Sequence, residues 1–179
     1  MSEKEAVTQV ATMLDKLERP DEIALSSGAV VKPIEIPDML IQMLYAQFPA
    51  PKAPMVEIHS GGKHWTQENP DDPRYAETLA ERDRTLSAAM INLVLLRGMK
   101  VLVLPEDAPA LEDTGWEEEM AAMGMAVPET GTARRLIWIK RFIVTRSLDL
   151  ATIQTAALEL SGATEEAVQE AMERFRSKD

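Results

Sequence analysis

Residues Glu22–Leu44 read EIALSSGAVVKPIEIPDMLIQML, and this stretch sets the fold class. It opens on two β-rich runs, Ile23 to Leu25 and Ala29 to Ile36, joined by Ser26-Ser27-Gly28. Gly28 supplies the positive φ that a tight turn needs, so the pattern predicts a hairpin. Pro33 lacks a backbone donor, which predicts that the second strand lies at an edge or bulges there. Pro37 suits the first turn of a helix, and Met39, Leu40, Met43, Leu44 and Phe48 follow at the spacing of an apolar helical face. A hairpin running into an amphipathic helix marks a mixed chain: mainly α with small β-hairpins (α+β), a helical core carrying an N-terminal hairpin and a short second one.

Upstream, Val7, Val10, Leu14 and Leu17 recur at helical spacing before Pro20, which predicts an amphipathic helix within residues 1–20. Residues 21–179 read as a single mainly helical domain. Downstream of the first helix, PAPKAP (residues 49–54) is a stiff, extended connector. Residues Met55 to Gln67 then predict the second hairpin, with Gly61-Gly62 at its turn.

The turn-rich ENPDDPRY leads to Asp72-Pro73, a helix entry. The longest helix is predicted from Tyr75 to about Gly98, with Tyr75, Leu79, Leu86, Met90, Leu93 and Leu96 along one stripe. Its second half is apolar almost all round and belongs in a core. The following KVLVLP fits a short buried strand or a helix continuing past a kink. Glu106 to Glu119 holds seven carboxylates and no Lys or Arg, a solvated loop entering the short helix WEEEMAAMGM. Arg134 to Arg146 is the reverse, with five cations around Trp138 and Phe142. Two more helices close the chain, LDLATIQTAALEL ended by Ser161-Gly162, and one N-capped by Thr164 with Val168, Met172 and Phe175 on one face.

Composition limits what such a chain can do. In 179 residues, 45% are hydrophobic and 27% charged, the mixture of a globular protein. A formal charge of −11 opposes a polyanionic partner, so nucleic acid is not expected. With no cysteine there is neither a disulfide framework nor thiolate chemistry. The charged N-terminus lacks an apolar signal core. The longest apolar run, Met90 to Met99, is broken by Asn92 and Arg97, so neither a signal peptide nor a membrane contact is expected.

The two histidines, His59 and His64, flank the Gly61-Gly62 turn with Glu57 nearby. A metal site normally needs three or four ligands, and no further His and no Cys exist to complete one. No Ser- or Lys-centred motif accompanies them as an acid/base pair, and surface hairpin histidines are the plainer reading. The carboxylate runs lack the alternating ligands and central glycine of a calcium loop, and the glycines form no phosphate-cradling pattern. No catalytic residue, cofactor or metal is therefore expected.

What remains is protein binding. The cations of Arg134 to Arg146 are expected to pair with the acidic loop rather than with phosphates. The 11 methionines provide adaptable apolar surface. Trp116, Glu117, Glu118, Met120, Met123 and Met125 form the candidate protein-binding set. For its three methionines, a place in the core and a place in a groove for a partner's apolar segment stay equally open.

Three stretches, EIALSSGAVVKPIEIPDMLIQML, PAPKAPMVEIHSGGKHWTQENPDDPRYAETL and AALELSGATEEAVQEAMERF, together give a layout that resembles tail assembly chaperones of long-tailed, siphovirus-like bacteriophages. The resemblance spans much of the chain through motifs that are not catalytic. It implies a protein of the host bacterial cytoplasm that binds the aggregation-prone tape measure protein and helps tail tube protein assemble around it. The family has no universal binding residues to carry over, and a homo-oligomer stays open. Two other readings stand beside it: a structural virion protein of the tail or head-tail connector, and a hydrolase or metal-dependent enzyme built on the His59/His64 hairpin.

Overall fold

The computed structural model describes residues 21–162, so the helices expected within residues 1–20 and from Thr164 onward lie outside the described residues. The chain divides into two compact units, one of Met1–Ile36 with Leu93–Asp179 and one of Pro37–Asn92. Five α-helices and two small antiparallel sheets are described, an α+β fold. Among the described residues no helix is long and apolar enough to cross a membrane.

In the first unit, β1 (Ile23–Ala24), β2 (Val30–Pro33) and β5 (Met99–Val103) form an antiparallel sheet in the order β1-β2-β5. The hairpin closes through Ser26-Ser27-Gly28, with Gly28 at φ 89° and Leu25 N–H donating to the Ala29 carbonyl at 2.8 Å. Of the KVLVLP segment, Lys100 to Val103 falls in strand β5, but the expected burial is corrected: Leu102 and Val103 are exposed, because this strand lies at an edge of the sheet. Pro33 corrects the expectation of an edge or a local bulge: β2 is the central strand, and the irregularity falls between Val30 and Val31. Pro33 is tolerated because it faces Met99, while the neighbouring Ile34 N–H donates to the Gly98 carbonyl at 2.8 Å. That places Pro33 at a position whose missing N–H points away from β5 and past the end of the two-residue β1.

Side-chain alternation gives this sheet two unlike faces. Val31, Pro33 and Met99 are buried, whereas Lys32 and Lys100 are exposed and directly opposite each other. Like charges so placed repel. Asp21 offsets this by ion-pairing with Lys32, and that hydrogen bond holds the Asp21 carboxyl below its ordinary value and raises Lys32.

Helix α5 (Ser147–Leu160) packs on β2, burying Ile153 and Ala157. Its C-terminal end is clasped by Ser161, whose buried hydroxyl donates to the Ala157 carbonyl at 2.6 Å and accepts from Ile36 N–H at 2.8 Å. Ser161→Ala leaves that buried N–H without a partner and is expected to destabilise the chain by about 1–3 kcal/mol, read by denaturant titration. A loss below a few tenths of a kcal/mol would show that the clasp contributes nothing.

The second unit contains α1 (Asp38–Gln47), the hairpin β3 (Met55–Ser60) and β4 (Lys63–Glu68), and most of α2 (Pro73–Arg97). Asp72 caps α2: its Oδ1 accepts from Arg74 N–H at 2.8 Å and Tyr75 N–H at 3.2 Å, with Pro73 in the first helical position where no donor is needed. Over 25 residues the helix is about 37 Å long. Its second half is the apolar part, and Met90, Val94 and Leu95 are buried.

The expected apolar face of α1 is corrected. Met39 and Met43 are 65% and 54% exposed, and the inward face runs through Ile41, Leu44, Tyr45 and Phe48. Two stripes, one starting at Met39 and one at Ile41, satisfy the same helical period, and only packing chooses between them. Arg82 Nε donates to the Phe48 carbonyl at 2.9 Å and ties the end of α1 to α2. Burial raises the Tyr45 hydroxyl above its ordinary value, opposed by the Arg82 charge.

Candidate functional site

The candidate set lies on α3 (Gly115–Ala122) and the turn after it. Trp116 and Met120, one turn apart, both point inward and are 3% and 4% exposed. Their burial assigns both to the core, with Trp116 leaving only a sliver of its side chain on the wall of a neighbouring concavity. Glu117 and Glu118 occupy the first turn, where backbone N–H groups favour negative charge. The helix ends on Gly124 at φ 76°, with Gly124 N–H bonded to the Ala121 carbonyl and Met125 N–H to the Met120 carbonyl. This left-handed stop carries the chain outward, leaving Met123 and Met125 53% and 44% exposed. Met123, Met125 and Glu118 are thus the members of the set that present side chains to solvent.

Behind them stands α4 (Gly131–Trp138), which continues into a π-helical turn (Ile139–Ile143) closed by Val144 N–H on the Ile139 carbonyl at 2.9 Å. Arg134, 6% exposed, connects these elements. Its Nε donates to the Leu111 carbonyl and an Nη to the Asp113 carbonyl, each at 2.9 Å. Its other Nη pairs with Glu117, and the guanidinium lies 4.8 Å from the Trp116 ring centroid. Trp138 Nε1 donates to the Pro109 carbonyl at 3.0 Å, and Arg141 approaches Glu119 at 3.9 Å. The basic segment therefore fastens the acidic loop, as its charge pattern predicts.

An open concavity of about 530 Å³ lies here, with Asp107, Asp113 and Glu119 on its walls beside Trp116 and Phe142. The two rings meet edge to face at 5.9 Å. Trp116 Nε1 is buried without a hydrogen-bond partner. The carboxylates favour a cationic group over an anionic one, while the ring faces are already taken by the chain's own cations, Arg134 over Trp116 and Arg141 over Phe142 at 5.6 Å.

The histidine pair sits elsewhere, on a hairpin that presents both faces to solvent. His59 and His64 are directly opposite, with ring centroids 4.3 Å apart, and His59 Nε2 is 3.7 Å from Glu57. Both imidazoles are exposed. Among the described residues no three His, Asp or Glu side chains are placed to share a metal ion.

Two contacts were not foreseen from the sequence. Asp149 accepts from the backbone N–H (3.1 Å) and the hydroxyl of Ser26, and Ser27 Oγ donates to the Ile143 carbonyl at 2.6 Å. The Ser-Ser-Gly turn thereby holds the start of α5 and the π-helical turn. No family model, curated protein or solved structure matches the chain.

Proposed function

We propose that this chain is a non-enzymatic tail assembly chaperone of a long-tailed bacteriophage, acting in the host cytoplasm by binding the tape measure protein and assisting tail tube assembly. The observation that carries the reading is the outward turn at Gly124, which exposes two flexible thioether side chains, Met123 and Met125, beside the carboxylate-rich loop and helix α3. Adaptable apolar groups bind varied apolar client segments, and the surrounding negative charge keeps a loaded complex soluble. The motif layout from the LSSG turn through ENPDDPRY to SGATEEAV supplies the phage tail context.

Co-expression with the tape measure protein tests it. The client is expected to become soluble and to co-purify with the chain. Met123→Glu/Met125→Glu is expected to lower capture at least tenfold while thermal stability stays nearly constant, because both side chains are exposed. A client that stays insoluble and never co-purifies would count against the whole reading. Unimpaired capture by the double variant would count against the methionine surface alone. Mass spectrometry of finished particles separates a chaperone, which is absent from them, from a structural tail component.

A further inference from the structure

The β3–β4 hairpin is exposed along its whole length apart from Ile58, which is half-buried. A two-stranded hairpin with both faces in water is marginally stable by itself, and among the described residues neither outer edge carries a further strand. Its register is regular from Met55↔Glu68 to Ser60↔Lys63, with no bulge to blunt an edge.

The backbone groups on that edge are fixed by the register. Asn69 N–H donates to the Pro54 carbonyl at 2.8 Å, so positions 54, 56, 58 and 60 bond toward β4. Met55, Glu57 and His59 therefore turn their N–H and C=O groups to the free edge. We infer that β3 pairs antiparallel with β3 of a second copy of this chain, about a twofold axis at Ile58, to give a continuous four-stranded sheet.

Side-chain complementarity, an imidazole N–H facing a carboxylate, selects that register. Centred on Ile58, Glu57 of each copy lies opposite His59 of the other, both on one face and both with backbone groups free to bond, and Ile58 meets its own symmetry mate. Centring on Glu57 opposes two carboxylates, and centring on His59 opposes two imidazoles and runs the strands past their turns. The β4 edge can pair about Trp65, setting Trp65 against its mate, but that places His64 opposite Thr66 with no acid facing a donor, and Lys63 guards its end. The inference does not rest on the chaperone reading.

Sedimentation equilibrium of the full chain is expected to give twice the 19.9 kDa chain mass. His59→Glu places carboxylates opposite carboxylates and is expected to weaken the dimer at least tenfold. Glu57→His/His59→Glu exchanges the partners and is expected to restore it. The absence of native cysteine allows a second readout. Ile58→Cys puts two sulfurs across a close cross-strand pair and is expected to cross-link on mild oxidation, while Val56→Cys, about 14 Å from its mate, does not. A wild-type chain that stays monomeric, or a dimer indifferent to His59→Glu and cross-linked equally by both cysteines, would overturn the proposal.

Discussion

Arg134→Ala is expected to destabilise the chain by about 3–5 kcal/mol, the range for breaking a buried ion pair from one side. The size follows from what the guanidinium holds. It satisfies the carbonyls of Leu111 and Asp113, pairs with Glu117, and lies against the Trp116 ring. Alanine leaves two carbonyls and a half-buried carboxylate without the partner that satisfied them. Arg134→Lys keeps the charge but not the planar fork and is expected to recover little of the loss. Thermal denaturation should show a drop of roughly 10 °C for alanine. Hydrogen exchange should rise over the acidic loop and α3 before it rises in β2 or α5. A uniform rise, or a loss under about 1 kcal/mol, would mean that the loop does not depend on this residue.

Gly98→Val is expected to cost about 3 kcal/mol, the upper part of the range for overpacking a filled core. Gly98 joins α2 to β5, its N–H donating to the Val94 carbonyl at 2.7 Å and its carbonyl accepting from Ile34. A Cβ added there would lie 3.0 Å from Ile36 Cδ1, 3.0 Å from the Val94 carbonyl oxygen and 3.1 Å from Ala157 Cβ. The Ile36 side chain has no room to retreat, since it is fully buried, and the carbonyl is backbone. Gly98→Ala already meets these contacts and should lose about 1 kcal/mol, so the two variants form a graded pair in urea titration. Equal stability of alanine and wild type would show that the helix-to-strand junction yields.

The parts of the fold that were readable in the sequence are those governed by near neighbours. Gly28 and the Gly61-Gly62 pair announce two turns because only positive φ closes them, and all three adopt it. Asp72-Pro73 announces the start of α2 because cap and missing donor act within four residues. Ser161-Gly162 likewise marks the end of α5. In the candidate site, the contrast between an acidic loop and a basic helix predicts their pairing, although charge alone does not say that Arg134 is buried while Arg135 and Arg141 are exposed.

The sequence by itself determined the class of fold, the turn positions, the helix entries and the absence of cysteine, since each depends on residue type and short spacing. Tertiary structure alone decided that β2 is central, that KVLVLP is a strand, that α1 buries Ile41 instead of Met39 and Met43, and that Met120 is core while Met123 and Met125 face water. It alone also joined Ser26 to Asp149, 123 residues apart. The physical reason is the same in each case. A helical or strand period fixes which residues share a face, but which face meets the core depends on partners that folding brings from far along the chain.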